Sequence, residues 1–128
     1  MRYIEELWII DPYGITLFNY SKRVNEDAAL IGGFFSGIYK FIKEIRNEEI
    51  ESIILEKSKF VIYQSPKGFL FISQSRKLIE DKEIIKRLKL VETKFFELFE
   101  EKLTTWDGNV NHFYNFNENI KKVFSSTC

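Results

Sequence analysis

The sequence predicts an α+β domain built on an antiparallel sheet with helices on both faces. Three observations carry this. The elements run strand, strand, helix, three strands, helix, helix. The inner strands are apolar at consecutive positions, as in Leu7-Trp8-Ile9-Ile10, Phe60-Val61-Ile62-Tyr63 and Phe69-Leu70-Phe71-Ile72. A strand that alternates apolar with polar has one covered face, whereas an unbroken apolar run asks for cover on both. Finally, the first long helix carries an apolar arc wider than one sheet requires.

Taken in order, Tyr3–Ile10 is the first strand. Asp11-Pro12-Tyr13-Gly14 is a turn, with proline presetting φ at its second position and glycine suiting its fourth. Ile15–Tyr20 returns as the second strand, and Asn25–Arg46 follows as a helix. Asn25 suits the N-cap, Glu26 and Asp27 the positive end of the helix dipole, and Arg46 and Asn47 the C-terminal end. Ala28, Ile31, Phe35, Ile38, Ile42 and Ile45 recur at helical spacing. At about 100° per residue, the apolar arc spans roughly 200–220°, from Leu30 through Ile38 round to Tyr39. A helix on one sheet needs about 100° of it. The excess is a shoulder of Leu30, Phe34 and Phe41. Beside it lie Gly33 and Gly37, each costing about 1 kcal/mol relative to alanine inside a helix. Two explanations stand for those glycines: approach of the helix to its own sheet or a loop, or a smooth surface for a partner's backbone.

Beyond the helix, Ile50–Leu55, Lys59–Gln64 and Phe69–Gln74 are three more strands, the last two joined by the turn Ser65-Pro66-Lys67-Gly68. Asp81 is placed to cap a second long helix, Lys82–Leu103. Its stripe is Ile84, Leu88, Val91, Phe95 and Leu98, widened by Ile85, Phe96 and Phe99, with Leu90 off it. Trp106-Asp107-Gly108 breaks the chain, and Asn117–Phe124 is a short last helix. The expected core comprises Trp8, Ile10, Phe35, Ile42, Ile62, Phe71, Val91 and Phe95.

The 128 residues suit a single domain over 1–128, large enough to bury a core without disulfides or metal. Lys+Arg and Asp+Glu both number 19, so no electrostatic argument favours nucleic acid or an anionic membrane. The lone cysteine, Cys128, excludes an internal disulfide. No apolar run reaches the ~18 residues of a membrane-spanning helix. Acids at Glu5 and Glu6 do not fit a signal-peptide layout, so a soluble intracellular protein is expected.

Nothing in the residues declares catalysis. His112, the only histidine, sits among aromatics in Asn111-His112-Phe113-Tyr114, which suits packing more than acid–base work. No Cys/His cluster has zinc spacing. Gly32-Gly33 lies inside a helical pattern and not between a strand and a helix start, so it is no phosphate loop. Ser36, Ser52 and Ser73 have no base near them in sequence. Cys128 is the final residue and does not form a Cys-a-a-X prenylation box. No catalytic residue, cofactor or metal is expected.

The order of elements resembles the longin or SNARE-like fold, within the profilin-like and roadblock group. Three passages carry the resemblance: the opening hairpin from Leu7 to Tyr20; Ala29-Leu30-Ile31-Gly32-Gly33-Phe34-Phe35-Ser36-Gly37-Ile38 with Phe41 beyond; and the closing long helix, Trp106-Asp107-Gly108, Phe113 and short helix. The second is similar to the first helix of prokaryotic longin-like proteins. The resemblance implies a five-stranded sheet in order 2-1-5-4-3, with Asn25–Arg46 on one face and both later helices on the other. It also implies a non-enzymatic interaction module of the kind found in membrane-traffic machinery, associated with a Ras-like small GTPase. No SNARE heptad segment follows, so the chain looks like a free-standing longin domain, cytoplasmic or peripheral to membranes through partners. Such relatives pair as homo- or heterodimers through a helix and a sheet edge. Here that surface comprises Leu30, Gly33, Phe34, Gly37 and Phe41 with Ser52, Ile53, Ile54 and Leu55, where apolar residues on an edge strand invite another strand. The alternative reading is a PAS- or GAF-like sensory domain, which would enclose a ligand cavity with a few convergent polar groups.

Overall fold

The structure, a computed structural model, describes residues 3–21 and 28–104. The expected helix start at Asn25, the break at Trp106, His112, the helix 117–124 and Cys128 lie outside the described residues. The elements are β1 (Glu6–Ile10), β2 (Thr16–Ser21), α1 (Ala28–Arg46), β3 (Ser52–Ile54), β4 (Ser58–Gln64), β5 (Leu70–Arg76) and α2 (Asp81–Thr104). All neighbouring strands pair antiparallel, in the order β2-β1-β5-β4-β3 expected for a longin-like sheet.

The two proline turns use the same chemistry. Gly14 and Gly68 stand at φ 91° and 90°, a conformation that disfavours side chains bearing a Cβ. Gly14 N–H donates to Asp11 O at 3.1 Å, and Gly68 N–H to Ser65 O at 2.9 Å. The Asp11 carboxylate accepts from Tyr13 and Ile15 N–H, both at 2.9 Å, while Ser65 Oγ accepts from Phe69 N–H at 3.1 Å. Each turn is thus tied by its first residue's side chain as well as by its backbone, which sets the hairpin register.

Alternation along the strands divides the core in two. Trp8, Ile10, Ile62, Leu70 and Ile72 meet Phe35 and Tyr39 of α1 on one face. Leu7, Ile9, Val61 and Phe71 meet Ile84, Leu88, Val91, Phe95 and Phe99 of α2 on the other. The unbroken apolar runs therefore serve two helices on opposite faces. A register shift between Ile9 and Ile10 locally bulges the β1–β2 ladder. It lets the neighbouring residues Leu17 and Phe18 both join the α2-side core.

Several expectations are corrected. Strand β3 keeps only Ser52–Ile54 of the expected Ile50–Leu55, because pairing with β4 runs from Ser52↔Val61 to Ile54↔Lys59. Strand β1 begins at Glu6, not Tyr3, and β5 extends to Arg76. Ile42, expected in the core, is half-buried, and Ile45 is exposed. The buried line of α1 passes through Gly32, Phe35, Ser36 and Tyr39, about a third of a turn round the helix from a stripe centred on Ile38. In α2, Phe99 takes the core position expected of Leu98, which is exposed. Asp81 is not the cap. Glu80 O accepts from Glu83 and Ile84 N–H, and the Asp81 carboxylate pairs with the buried Lys59 ammonium, fastening the start of α2 to β4. At the far end of α1, Asn47 stands at φ 54° with its N–H on Lys43 O at 3.0 Å, an αL cap.

Candidate interaction surface

Helix α1 does not lie centrally on its sheet. It approaches most closely on the β2 side, where Gly32 faces Thr16 and Ile10 and a Cβ on Gly32 would collide with Thr16 Oγ1. Ser36 rests against Gly14, and Lys40 Nζ donates to Pro12 O at 2.8 Å. Tyr39 is buried, and its hydroxyl donates to Gln64 Oε1 at 2.9 Å. Burial, then the Glu49 charge, pushes its pKa above the ordinary 10.0, so the donor stays protonated.

On the opposite flank the helix stands away from the sheet. Phe35 fills part of the gap, its ring 4.7 Å from Phe60 and 6.0 Å from Trp8. Beyond it an open cavity of ≈ 560 Å³ remains, bounded by Leu30, Ile31 and Phe34 above and by Trp8, Leu55 and Phe60 below. Ser58, Gln74 and Glu6 add polar atoms to its wall. Trp8 Nε1 is buried with no hydrogen-bond partner among the described residues.

The expected partner residues fall into separate groups. Leu30, Phe34 and Phe41 are 72%, 62% and 59% exposed, a large apolar area with one side on the cavity. Alternation on β3 divides its residues. Ile53 opposes Phe60 and faces α1, as does Leu55 at the cavity, whereas Ile54 opposes Lys59 and turns with Ser52 to the α2 side. The step of about 100° per residue also separates Gly33 from Phe34, leaving Gly33 on the β2 flank and Gly37 near the crest beside Phe41. Among the described residues, neither glycine would bring a Cβ within 4 Å of a neighbour, so approach to this chain's own sheet does not explain them. That role belongs to Gly32. The sequence did not single out Ile45 as surface, although it sits one turn beyond Phe41 and is 62% exposed. It reads as core by period alone, and only the offset of α1 toward β2 leaves it uncovered.

The three glycines should therefore respond differently to alanine. Gly33→Ala and Gly37→Ala should each stabilise the isolated domain by up to about 1 kcal/mol, because alanine gains helix propensity and meets nothing. Gly32→Ala should cost about 1–3 kcal/mol despite the same gain, because Thr16 must move. Urea melts of the three variants check this; equal responses would contradict the offset.

Among the described residues, no three His, Cys, Asp or Glu side chains cluster to hold a metal ion, and no helix is long and apolar enough to cross a membrane. The fold defines the class: it is a longin-like α+β fold. Solved structures with this fold include MglB of Myxococcus xanthus, 16% identical with a TM-score of 0.56, covering 73% of this chain and 84% of that one. The gliding protein MglB of Thermus thermophilus is similar at 10% identity and TM-score 0.55, over 66% and 72% of the two chains. A roadblock/LC7 domain from Streptomyces avermitilis is similar at 12% identity and TM-score 0.55, over 73% and 87%. No protein-family model matches the sequence, and no curated protein matches it.

Proposed function

We propose that this chain is a non-enzymatic interaction module that pairs with a second copy or a related domain and serves as a scaffold or regulator beside a Ras-like small GTPase. The observation that carries the reading is the uncovered apolar surface shared by α1 and the β3 edge. Leu30, Phe34, Phe41 and Ile45 on the helix and Leu55 at the end of the strand expose apolar side chains that water disfavours. Among the described residues, strand β3 is the edge of the sheet, with one row of its backbone donors and acceptors turned away from β4. Together they offer the two requirements of a pairing surface: apolar area to bury and backbone groups to satisfy. Gly37, beside Phe41, lets a partner come close at the crest.

The GTPase belongs to this reading through the longin and roadblock resemblance, as does a setting in membrane-traffic or related machinery. Support for oligomerisation comes from one further structure of this fold, described as MglB with a tetrameric arrangement, 11% identical with a TM-score of 0.51. Light scattering over a concentration series should find a dimer, and a pull-down from the native host, read by mass spectrometry, should recover a Ras-like GTPase. A wild type that stays monomeric at high concentration and binds no related domain would remove the pairing half. Repeated recovery of a traffic or signalling complex without a GTPase would remove the other.

A further inference from the structure

The geometry points to a binding site for a small, uncharged aromatic molecule that carries a hydrogen-bond acceptor, held in the hollow between α1 and the sheet and oriented by the Trp8 indole. The site belongs to the single chain and stands whether or not the chain pairs.

The hollow is built into the packing. Gly32 brings α1 against Thr16 on the β2 side, and on the other flank the Phe35 ring, 4.7 Å from Phe60, props the helix off the sheet. The space of ≈ 560 Å³ lies within the range of small-molecule sites, about 300–1,000 Å³. Four of its ten lining residues are aromatic, Trp8, Phe34, Phe35 and Phe60, which suits a flat ring met by faces and edges.

Polar groups without partners give the site its orientation. Trp8 is 1% exposed and Nε1 has no hydrogen-bond partner among the described residues. An indole nitrogen can only donate, and leaving a buried donor unmade is costly, so a bound molecule that supplies an acceptor removes that cost. Strand register places Gln74 between Glu6 and Phe60 in one row of the floor, two residues along β1 from Trp8. The Gln74 side chain is buried, lines the hollow and makes no hydrogen bond with a described residue, so it offers a second contact of either sense.

Charge narrows the class further. No Lys, Arg or His lines the hollow, and its one ionisable group is the Glu6 carboxylate, which accepts from Ser21 Oγ at 2.9 Å. An anion would face that carboxylate across an apolar wall. A molecule with a net charge would also lose its hydration against Leu30, Ile31 and Leu55. An aryl ketone or a neutral ring nitrogen meets each requirement.

Three probes on one skeleton test the site: α-tetralone, tetralin without the carbonyl, and α-aminotetralin, a cation at neutral pH. Binding is followed at the Trp8 indole N–H in proton–nitrogen correlation spectra of the wild type, with Trp106→Phe used to assign the two indoles. α-Tetralone should saturate at one molecule per chain, move the Trp8 Nε1–H resonance downfield, and bind at least about tenfold more tightly than tetralin. Ser58→Phe fills the hollow from the sheet and Ile31→Trp from the helix. Each should weaken α-tetralone at least about tenfold, with a urea melt confirming that the variant is folded. Absence of saturable α-tetralone binding, an unmoved Trp8 resonance, equal affinity for tetralin, or undiminished binding in both filled variants would overturn the site. Tighter binding of α-aminotetralin would overturn the uncharged class. Light scattering on the same samples keeps pairing separate. A monomer that binds α-tetralone retains the site and removes the pairing, whereas a dimer that does not bind it retains the pairing and removes the site.

Discussion

Phe71→Ala should lower the free energy of unfolding by about 4–5 kcal/mol, and Phe35→Ala by about 3 kcal/mol, the two ends of the usual range for such truncations. Both rings are core, at 0% and 4% exposure, yet their surroundings differ. Phe71 is enclosed on the α2 side, with the rings of Tyr63, Phe95 and Phe96 all 6.2 Å away. Removing it leaves a void that water does not reach and that an aromatic cluster anchored on two elements closes poorly, so both the transfer and the cavity cost are felt. Phe35 borders the open hollow. Its loss enlarges a space that solvent already enters, and the neighbouring Phe34 ring, 5.7 Å away, has room to follow. Urea melts decide it. Losses below about 1 kcal/mol at both positions would contradict the core assignment. A larger loss at Phe35 would contradict the asymmetry between the two faces.

That asymmetry marks the boundary of what could be read from the residues. Strand positions and the two-helix cover followed from runs such as Phe60-Val61-Ile62-Tyr63, because an apolar residue at every step has only two sheet faces to occupy. The turns followed from Pro12 with Gly14 and Pro66 with Gly68, since a positive φ at a fixed place in a turn calls for glycine. The sheet order came from the resemblance and not from any residue. What periodicity failed to give was the lateral position of α1. A hydrophobic arc shows which side of a helix is apolar, but not how far the helix leans toward one strand. Gly32 against Thr16 sets that lean, and in sequence it is indistinguishable from Gly33. The lean then decides that Ile42 is only half-buried, Ile45 is exposed and the hollow exists. Similarly, Ile53 and Ile54 look alike as apolar edge residues. Only the pairing of Ile53 with Phe60 shows that Ile53 shares a face with α1 and Ile54 does not.

Phe34→Glu should abolish self-association while sparing the fold. In the single chain Phe34 is 62% exposed and touches the core through its edge-on contact with Phe35, so a carboxylate there remains in water. The expected cost to the monomer is at most about 1 kcal/mol, the worth of one partly solvated aromatic pair. In a two-fold dimer the same carboxylate would be buried twice, each time against an apolar wall. An uncompensated buried charge costs about 3–5 kcal/mol, and even one such term weakens binding by more than about a hundredfold. Phe34→Leu keeps the apolar area and should weaken pairing far less. Light scattering and a urea melt on the same preparations separate the two effects. If Phe34→Glu unfolds with near wild-type stability and still associates as wild type does, the shoulder of α1 is not where the chain meets its partner, and pairing must run through the β3 edge alone or through another face.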